Sequence, residues 1–393
     1  MSKSYPFILP DYQGKSIINL MSSIAGAFGK KHDYPELDSL SSEFMKTFDN
    51  VVLFVVDGLG DVFLSKQRDS FLFRQRQASM TSTFLSTTTC ANTAFLVGYP
   101  PQQHGLTAWD IFLKEVGAMV AFLPFETSFG AKDLRKDHFD LGQIMDFEAF
   151  HDGFNGSCYS VIFKKYAFSA FNSYVSRAEN IIPARNYPNI FTKVKNLVKT
   201  KAREKRFIHT YIPEFDSLCH QIGPDSEGAK ILFQDLDSRM QKLAQDLKGT
   251  NTLLLITADH GQTEVPADQV LWLEDFAGLS ECLSMPLLGE FRVRYCYVRA
   301  HKTAQFEEIV QNKLSKYCWC FPSSQIIQDN LFGLGKPHLK LAERVGDYIL
   351  VMKDHYILRD KLGNFDPTRK NFIGNHGGVS EEEMMVSLIT INC

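Results

Sequence analysis

The apolar run Val51–Val56 passes directly into Asp57-Gly58, and this junction constrains the fold more than any other stretch of the chain. An unbroken apolar run of that length suits a strand buried on both faces, as in parallel sheets covered by helices. The aspartate–glycine pair then opens the carboxyl end of the strand, the end at which open α/β sheets bind ligands. Two further stretches repeat the arrangement. Arg206–Ile212 (RFIHTYI) ends at Pro213 with Asp216 and His220 just beyond, and Thr252–Ala258 (TLLLITA) ends at Asp259-His260-Gly261. Between them Leu232, Leu236, Met240, Leu243 and Leu247 recur at helical spacing within 226–248, and Gly249 stops the pattern. Strand, helix and strand in that order predict an α/β layer fold.

Composition narrows the function classes. The 393 residues carry 42 Lys or Arg and 45 Asp or Glu, a net charge of −3, which argues against a nucleic-acid polymer as partner. No apolar run approaches the roughly 18 residues that span a bilayer, and the opening MSKSYPFILPDYQGK has no apolar leader core, so no membrane partner and a cytoplasmic location are expected. The eight cysteines include no CxxC pair; Cys318 and Cys320 flank Trp319, and unbridged thiols are expected. Lys193–Arg206 is strongly basic, but Phe191, Val194, Leu197 and Val198 give it one apolar stripe, so it reads as a solvated helix face. The aromatic- and cysteine-rich segment 280–345 reads as a cap inserted into a catalytic core made of 1–279 and 346–393.

Adjacent Asp-His pairs occur at Asp137-His138, Asp259-His260 and Asp354-His355, and only the middle pair follows an apolar strand and precedes a glycine. His376 lies in NHGG, where glycines permit close backbone approach. Asp57, Asp216 and Asp259 together with His220, His260 and His376 make physical sense as sharers of divalent metal ions. Zinc above all accepts mixed carboxylate and imidazole ligands, and without cations the buried carboxylates would repel one another. Two divalent ions balance three carboxylates and one ionised hydroxyl. Ser86, Thr87, Thr88 and Thr89 offer that hydroxyl at the start of a helical stretch, where free backbone N–H groups favour a phosphate. A hydroxyl beside a divalent ion is acidic enough to attack phosphorus.

The segments VVDG (Asp57), FLSTTTCANTAFLVGYPPQQHGL, YIPEFDSLCHQIGPDS, ITADHGQ and GNHGG fall in an order and spacing that extend from about 48 to 390. The chain thereby resembles the alkaline phosphatase superfamily, in its nucleotide pyrophosphatase/phosphodiesterase branch. The resemblance implies an alkaline-phosphatase-like αβα sandwich around a central, mainly parallel sheet with an inserted cap. It also implies two divalent ions, zinc first and manganese second. One would be held by Asp216, His220 and His376; the other by Asp57, Asp259, His260 and the nucleophile. An ungapped match puts the nucleophile at Thr88, with Thr89 the alternative one residue on. The activity implied is hydrolysis of a small-molecule phosphoester, as a phosphodiesterase or nucleotide pyrophosphatase, through a phosphothreonine intermediate. Tyr211 matches a base-stacking position of the branch. Thr89 stands where the nucleotide-hydrolysing members have an aromatic, and Trp109 where they have an oxygen-binding asparagine; Trp109 and Tyr211 are the expected substrate contacts.

Two other readings compete. A phosphomonoesterase or phosphonate hydrolase on the same scaffold needs an extra cation, for which Lys164 and Lys165 are the candidates. A non-catalytic, metal-stabilised interaction protein would not need the nucleophile. The sulfatase pattern is missing, because Cys90 is followed by Ala91-Asn92-Thr93-Ala94 without its proline and arginine. Nothing in the sequence points to an oligomeric state.

Overall fold

Asn50–Val56 is buried at every position and lies in the interior of a seven-stranded sheet. The order across the sheet is Arg76–Thr81, Met385–Asn392, Thr252–Thr257, Asn50–Val56, Arg206–Ile212, Ser157–Phe163 and Ile181–Ala184. The last five are mutually parallel, and Met385–Asn392 runs antiparallel to both of its neighbours. The computed structural model describes residues 5–137, 139, 141–362 and 372–393; His138, of the first Asp-His pair, lies outside them.

Helices cover the sheet because its central strands have no polar face to offer water. Glu227–Asp246 starts at Ser226, whose side chain accepts from the Ala229 N–H, and buries Phe233, Leu236, Met240 and Leu243. Tyr187–Lys199 buries Ile190, Phe191, Val194 and Val198 and packs against it. The basic stretch is therefore partly a helix face, but Arg206 is not solvated. It begins the strand Arg206–Ile212, is buried, and donates to the carbonyls of Leu197, Val198 and Thr200, closing the end of that helix. A charge count could not separate this capping arginine from its solvated neighbours.

A second, wholly antiparallel sheet has the order Cys318–Pro322, Tyr348–Met352, Val293–Cys296, Leu288–Gly289, Asp110–Leu113, Ala118–Ala121 and Glu126–Thr127. Segment 280–345 thus pairs outside itself, Gly289 with Asp110 and Cys320 with Leu350. The turn between Leu288–Gly289 and Val293–Cys296 reaches the short helix Glu381–Met384, which leads into Met385–Asn392 of the first sheet; there Arg292 forks onto Glu383 at 3.1 and 3.0 Å with both side chains buried. The helix Thr88–Val97 joins the two layers. Ala91, Ala94 and Phe95 belong to the core of the parallel sheet, and Cys90, Leu96 and Val97 to that of the antiparallel one. All eight cysteines are unbridged. Among the described residues no helix is long and apolar enough to cross a membrane.

Candidate active site

Three parallel strands in register deliver three aspartates to one place. Val56 pairs with Ile212 and Val55 with Thr257, so the chain leaves all three strands at the same level. Backbone bonds then lock the exits together: Asp57 N–H donates to Ile212 O at 2.9 Å and Asp216 N–H to Asp57 O at 3.1 Å. Gly58 and His260 N–H both donate to Asp259 Oδ1, at 3.2 and 3.0 Å. Gly58 has φ +74°, and a Cβ there would stand 3.1 Å from the Asp216 Cα, so only glycine lets these loops approach so closely.

The acids and imidazoles sort into two adjoining groups. In the first, His260 Nε2 lies 3.3 Å from Asp57 Oδ1, 3.6 Å from Asp259 Oδ2 and 3.2 Å from Thr88 Oγ1. In the second, His220 Nε2 lies 3.3 Å from Asp216 Oδ2, and His376 Nε2 lies 3.8 Å from Asp216 Oδ1. Within each group one ligand atom per residue falls within 4.8 Å of the others. The carbonyls of Gly261 and Gly374 stand 3.0 and 2.7 Å from Nδ1 of His260 and His220. A carbonyl only accepts, so both rings carry a proton on Nδ1 and turn Nε2 inward, toward the acids. The His376 ring stacks on His260 with centroids 3.9 Å apart, which joins the two groups.

This donor set fits divalent cations. Asp57 Oδ1 and Asp259 Oδ2 are buried and accept no hydrogen bond. Burial first, then the charges of Asp216 and Asp259, push the Asp57 carboxyl well above its ordinary range; burial also raises Asp259 against the pull of His260. Burial acts the same way on Asp216, but His220, His376 and His260 outweigh it and hold that carboxyl low. Bare buried carboxylates at such spacing are costly, and Asp/His ligation by zinc or a similar ion relieves the cost.

The four hydroxyls expected at the helix start have separate fates. Ser86 donates to Gly378 O at 2.7 Å, and Thr87 donates to Glu290 Oε1 at 2.8 Å. Thr89 is fully buried with no partner for Oγ1. Thr88, at the first turn of Thr88–Val97, faces His260 and lines a cleft of about 520 Å³ whose wall also includes Asp57 and Asp216. Trp109 and Tyr211 line this cleft too. The Tyr211 hydroxyl, however, donates to Asp57 Oδ2, so its polar end belongs to the acid cluster and only its ring is offered to a ligand.

Several neighbours were not anticipated from sequence. Gln262 donates to the Asp216 carbonyl at 3.1 Å and to its carboxylate, and its place directly after Asp259-His260-Gly261 was the available signal. Glu290 is buried and accepts from both Thr87 and the Trp109 N–H, the latter at 2.9 Å. It comes from the antiparallel sheet, and no pattern marks it. His209 lines the cleft from within the strand Arg206–Ile212, and burial pushes its pKa down to about 4, so it stays neutral. Arg135 lines the same cleft, beside Lys164 and Lys165, the two cations the sequence did offer.

A family model described as type I phosphodiesterase / nucleotide pyrophosphatase matches residues 51–379. The mouse ectonucleotide pyrophosphatase/phosphodiesterase family member 3 is 24% identical over 191 residues, 46% of this chain and 20% of that protein. An uncharacterised pyrophosphatase/phosphodiesterase of Schizosaccharomyces pombe is 30% identical over 74 residues, 18% of this chain and 15% of its own. The chain thus covers a fifth or less of the length of these curated relatives. Among solved structures, murine ectonucleotide pyrophosphatase/phosphodiesterase 5 superposes with a TM-score of 0.63 at 17% identity, covering 86% of this chain and 87% of that one. Phosphonoacetate hydrolase from Sinorhizobium meliloti, solved with phosphonoformate, gives 0.60 at 15% identity over 87% and 89%. At these identities the superpositions establish the fold.

Proposed function

The chain belongs to the type I phosphodiesterase / nucleotide pyrophosphatase family, and from that premise we propose that it is a metal-dependent phosphoric-ester hydrolase working through a phosphothreonine at Thr88. The observation that carries this reading is the contact of Thr88 Oγ1 with His260 Nε2 at 3.2 Å, beside Asp57 and Asp259 and at a helix start. Asp216, His220 and His376 would hold one divalent ion and Asp57, Asp259, His260 and Thr88 the other, with zinc or manganese suited to the donors. When bound, the ions supply positive charge that acidifies the Thr88 hydroxyl and offsets charge on the departing oxygen.

The remaining roles fall to the chain itself. Thr88 Oγ forms a bond to phosphorus as the bond to the leaving oxygen breaks in line with it, and water then cleaves the phosphothreonine. The N–H groups of the first turn of Thr88–Val97, which no side chain caps, would offer the phosphoryl oxygens an anion site. Gly261 and Gly374 carbonyls fix the rings of His260 and His220, and Tyr211 and Gln262 fix the carboxylates of Asp57 and Asp216. The test compares bis-p-nitrophenyl phosphate with p-nitrophenyl phosphate under one metal condition, with and without chelator. The diester should be the better substrate, and chelation should silence the reaction reversibly. A second reading, hydrolysis of monoesters or phosphonates, draws on Lys164 and Lys165, which line the cleft; a monoester preference of about tenfold, roughly 1.4 kcal/mol, would promote it.

A further inference from the structure

Three residues of the helix Thr88–Val97 line the cleft, Thr88, Asn92 and Leu96, at four-residue steps that keep them on one face. Thr88 is the proposed nucleophile and Leu96 an apolar wall. Asn92 has no such explanation. It is 7% exposed, and its Oδ1 is buried without a hydrogen-bond partner among the described residues. An asparagine inside a helix competes with the backbone for hydrogen bonds, and a buried amide oxygen left unbonded is costly. Alanine would serve the fold better at this position, so the amide points to a group bound in the cleft.

The place of Asn92 on the helix identifies that group. Side chains four residues apart are neighbours, with Cβ atoms about 5–6 Å from each other. Helical side chains also lean toward the N-terminus, which carries the Asn92 amide toward the turn that begins at Thr88. A phosphoryl group bonded to Thr88 Oγ1 holds its oxygens over that same turn. An amide NH2 donates without carrying charge, so it can serve an anionic oxygen there and leave the charge balance of the acids unchanged. Ser176 and His209 also line the cleft with unpartnered atoms, but both, with Leu96, adjoin a second, water-sized cavity of about 20 Å³. They belong to the Leu96 end of the cleft, eight residues or about 12 Å along the helix from Thr88.

We propose that Asn92 is a catalytic residue that donates its side-chain amide to a phosphoryl oxygen as Thr88 attacks. This rests on the hydrolase reading above and adds a residue to it. The amide makes and breaks no covalent bond; it holds one equatorial oxygen while the bonds on either side of phosphorus exchange.

The test compares zinc-loaded wild type, Asn92→Ala and Asn92→Asp on bis-p-nitrophenyl phosphate and methyl p-nitrophenyl phosphate. Both esters release nitrophenolate and share the phosphoryl group, but their second substituents differ. Asn92→Ala should lower kcat about 100-fold on both, as loss of one such donor does elsewhere. Its melting temperature and metal content should match wild type, because alanine breaks no bond to Oδ1. Inorganic phosphate should inhibit wild type about tenfold or more tightly than Asn92→Ala, the effect of one hydrogen bond to a charged group. Asn92→Asp keeps the shape but sets a carboxylate against the phosphoryl oxygens, and should lose at least as much activity as Asn92→Ala. Asn92→Ala activity within about threefold of wild type, or a loss confined to one ester, would overturn the inference and leave the hydrolase reading standing. Should Asn92→Ala lose fold or metal, Asn92→Asp decides, and wild-type kcat in that variant would overturn the inference equally. No turnover of either ester by the zinc-loaded wild type would overturn both.

Discussion

Thr87 donates its hydroxyl to the buried Glu290 carboxylate at 2.8 Å, and this bond ties the residue before the proposed nucleophile to the antiparallel sheet. The same oxygen accepts the Trp109 N–H at 2.9 Å, and the glutamate packs so closely on Gly377, next to His376, that a Cβ there would come within 2.6 Å. One carboxylate thus sets the spacing of the helix start, one wall of the cleft and the NHGG turn. Glu290→Ala should lower kcat by about 10- to 100-fold, the equivalent of one or two bonds to a charged acceptor, with metal content retained. Glu290→Gln keeps an acceptor oxygen and should recover most of the loss. A variant impaired only in KM, or equally impaired as Ala and Gln, would deny the glutamate this positioning role.

Metal affinity and fold stability should move together, because the acids at the strand ends are buried with oxygens left unbonded. Zinc or manganese at about 100 times its dissociation constant should stabilise the protein by about 2.7 kcal/mol. Asp216→Ala and Asp57→Ala should each lose affinity at one site and regain part of their activity in excess metal. Metal analysis after dialysis checks this: about two ions per chain for wild type, the number a two-metal site needs, and fewer for each variant. A wild-type chain that purifies and works without metal would contradict the assignment.

The buried pair Arg292–Glu383 fastens the antiparallel sheet to the parallel one. Burial alone would raise the Glu383 carboxyl, but Arg292 and the Gly378 N–H outweigh it and hold it low. A carboxyl held low in the folded state adds stability that is complete above its unfolded pKa, about 4.3, and is lost as pH falls through the folded value. Glu383→Gln leaves Arg292 buried without its counter-charge and should cost about 3–5 kcal/mol near neutral pH. Urea titrations should show that deficit shrinking as pH falls below about 4. A deficit independent of pH would mean that the charge of Glu383 contributes nothing.

The parallel sheet was legible because its strands are continuous apolar runs, and Asp57, Asp216 and Asp259 could be placed at their exits without knowing any distance. His220 followed from its four-residue helical offset from Asp216, and His376 from its glycines. The antiparallel sheet was not legible. Its strands are two to five residues long, and Asp110–Leu113 and Leu288–Gly289 meet from far-apart parts of the chain. The strands within 280–345 therefore carry no sign in the sequence of their partners in 110–127 and 348–352, and Glu290 and the Arg292–Glu383 pair carry none either. Tyr211 was legible as a neighbour of the site, but its bond to Asp57 depends on strand register, which residue spacing alone does not fix.

The central claim is that Thr88 is the residue phosphorylated during turnover, and paired alanine variants test it most directly. Thr88→Ala should lose several orders of magnitude in bis-p-nitrophenyl phosphate hydrolysis, as removal of a nucleophile does elsewhere, while keeping its fold and most of its metal. Thr89→Ala, whose hydroxyl faces neither His260 nor the cleft, should retain activity within about tenfold of wild type. The opposite ranking would shift the nucleophile by one residue, and two active variants would contradict covalent catalysis by this helix start.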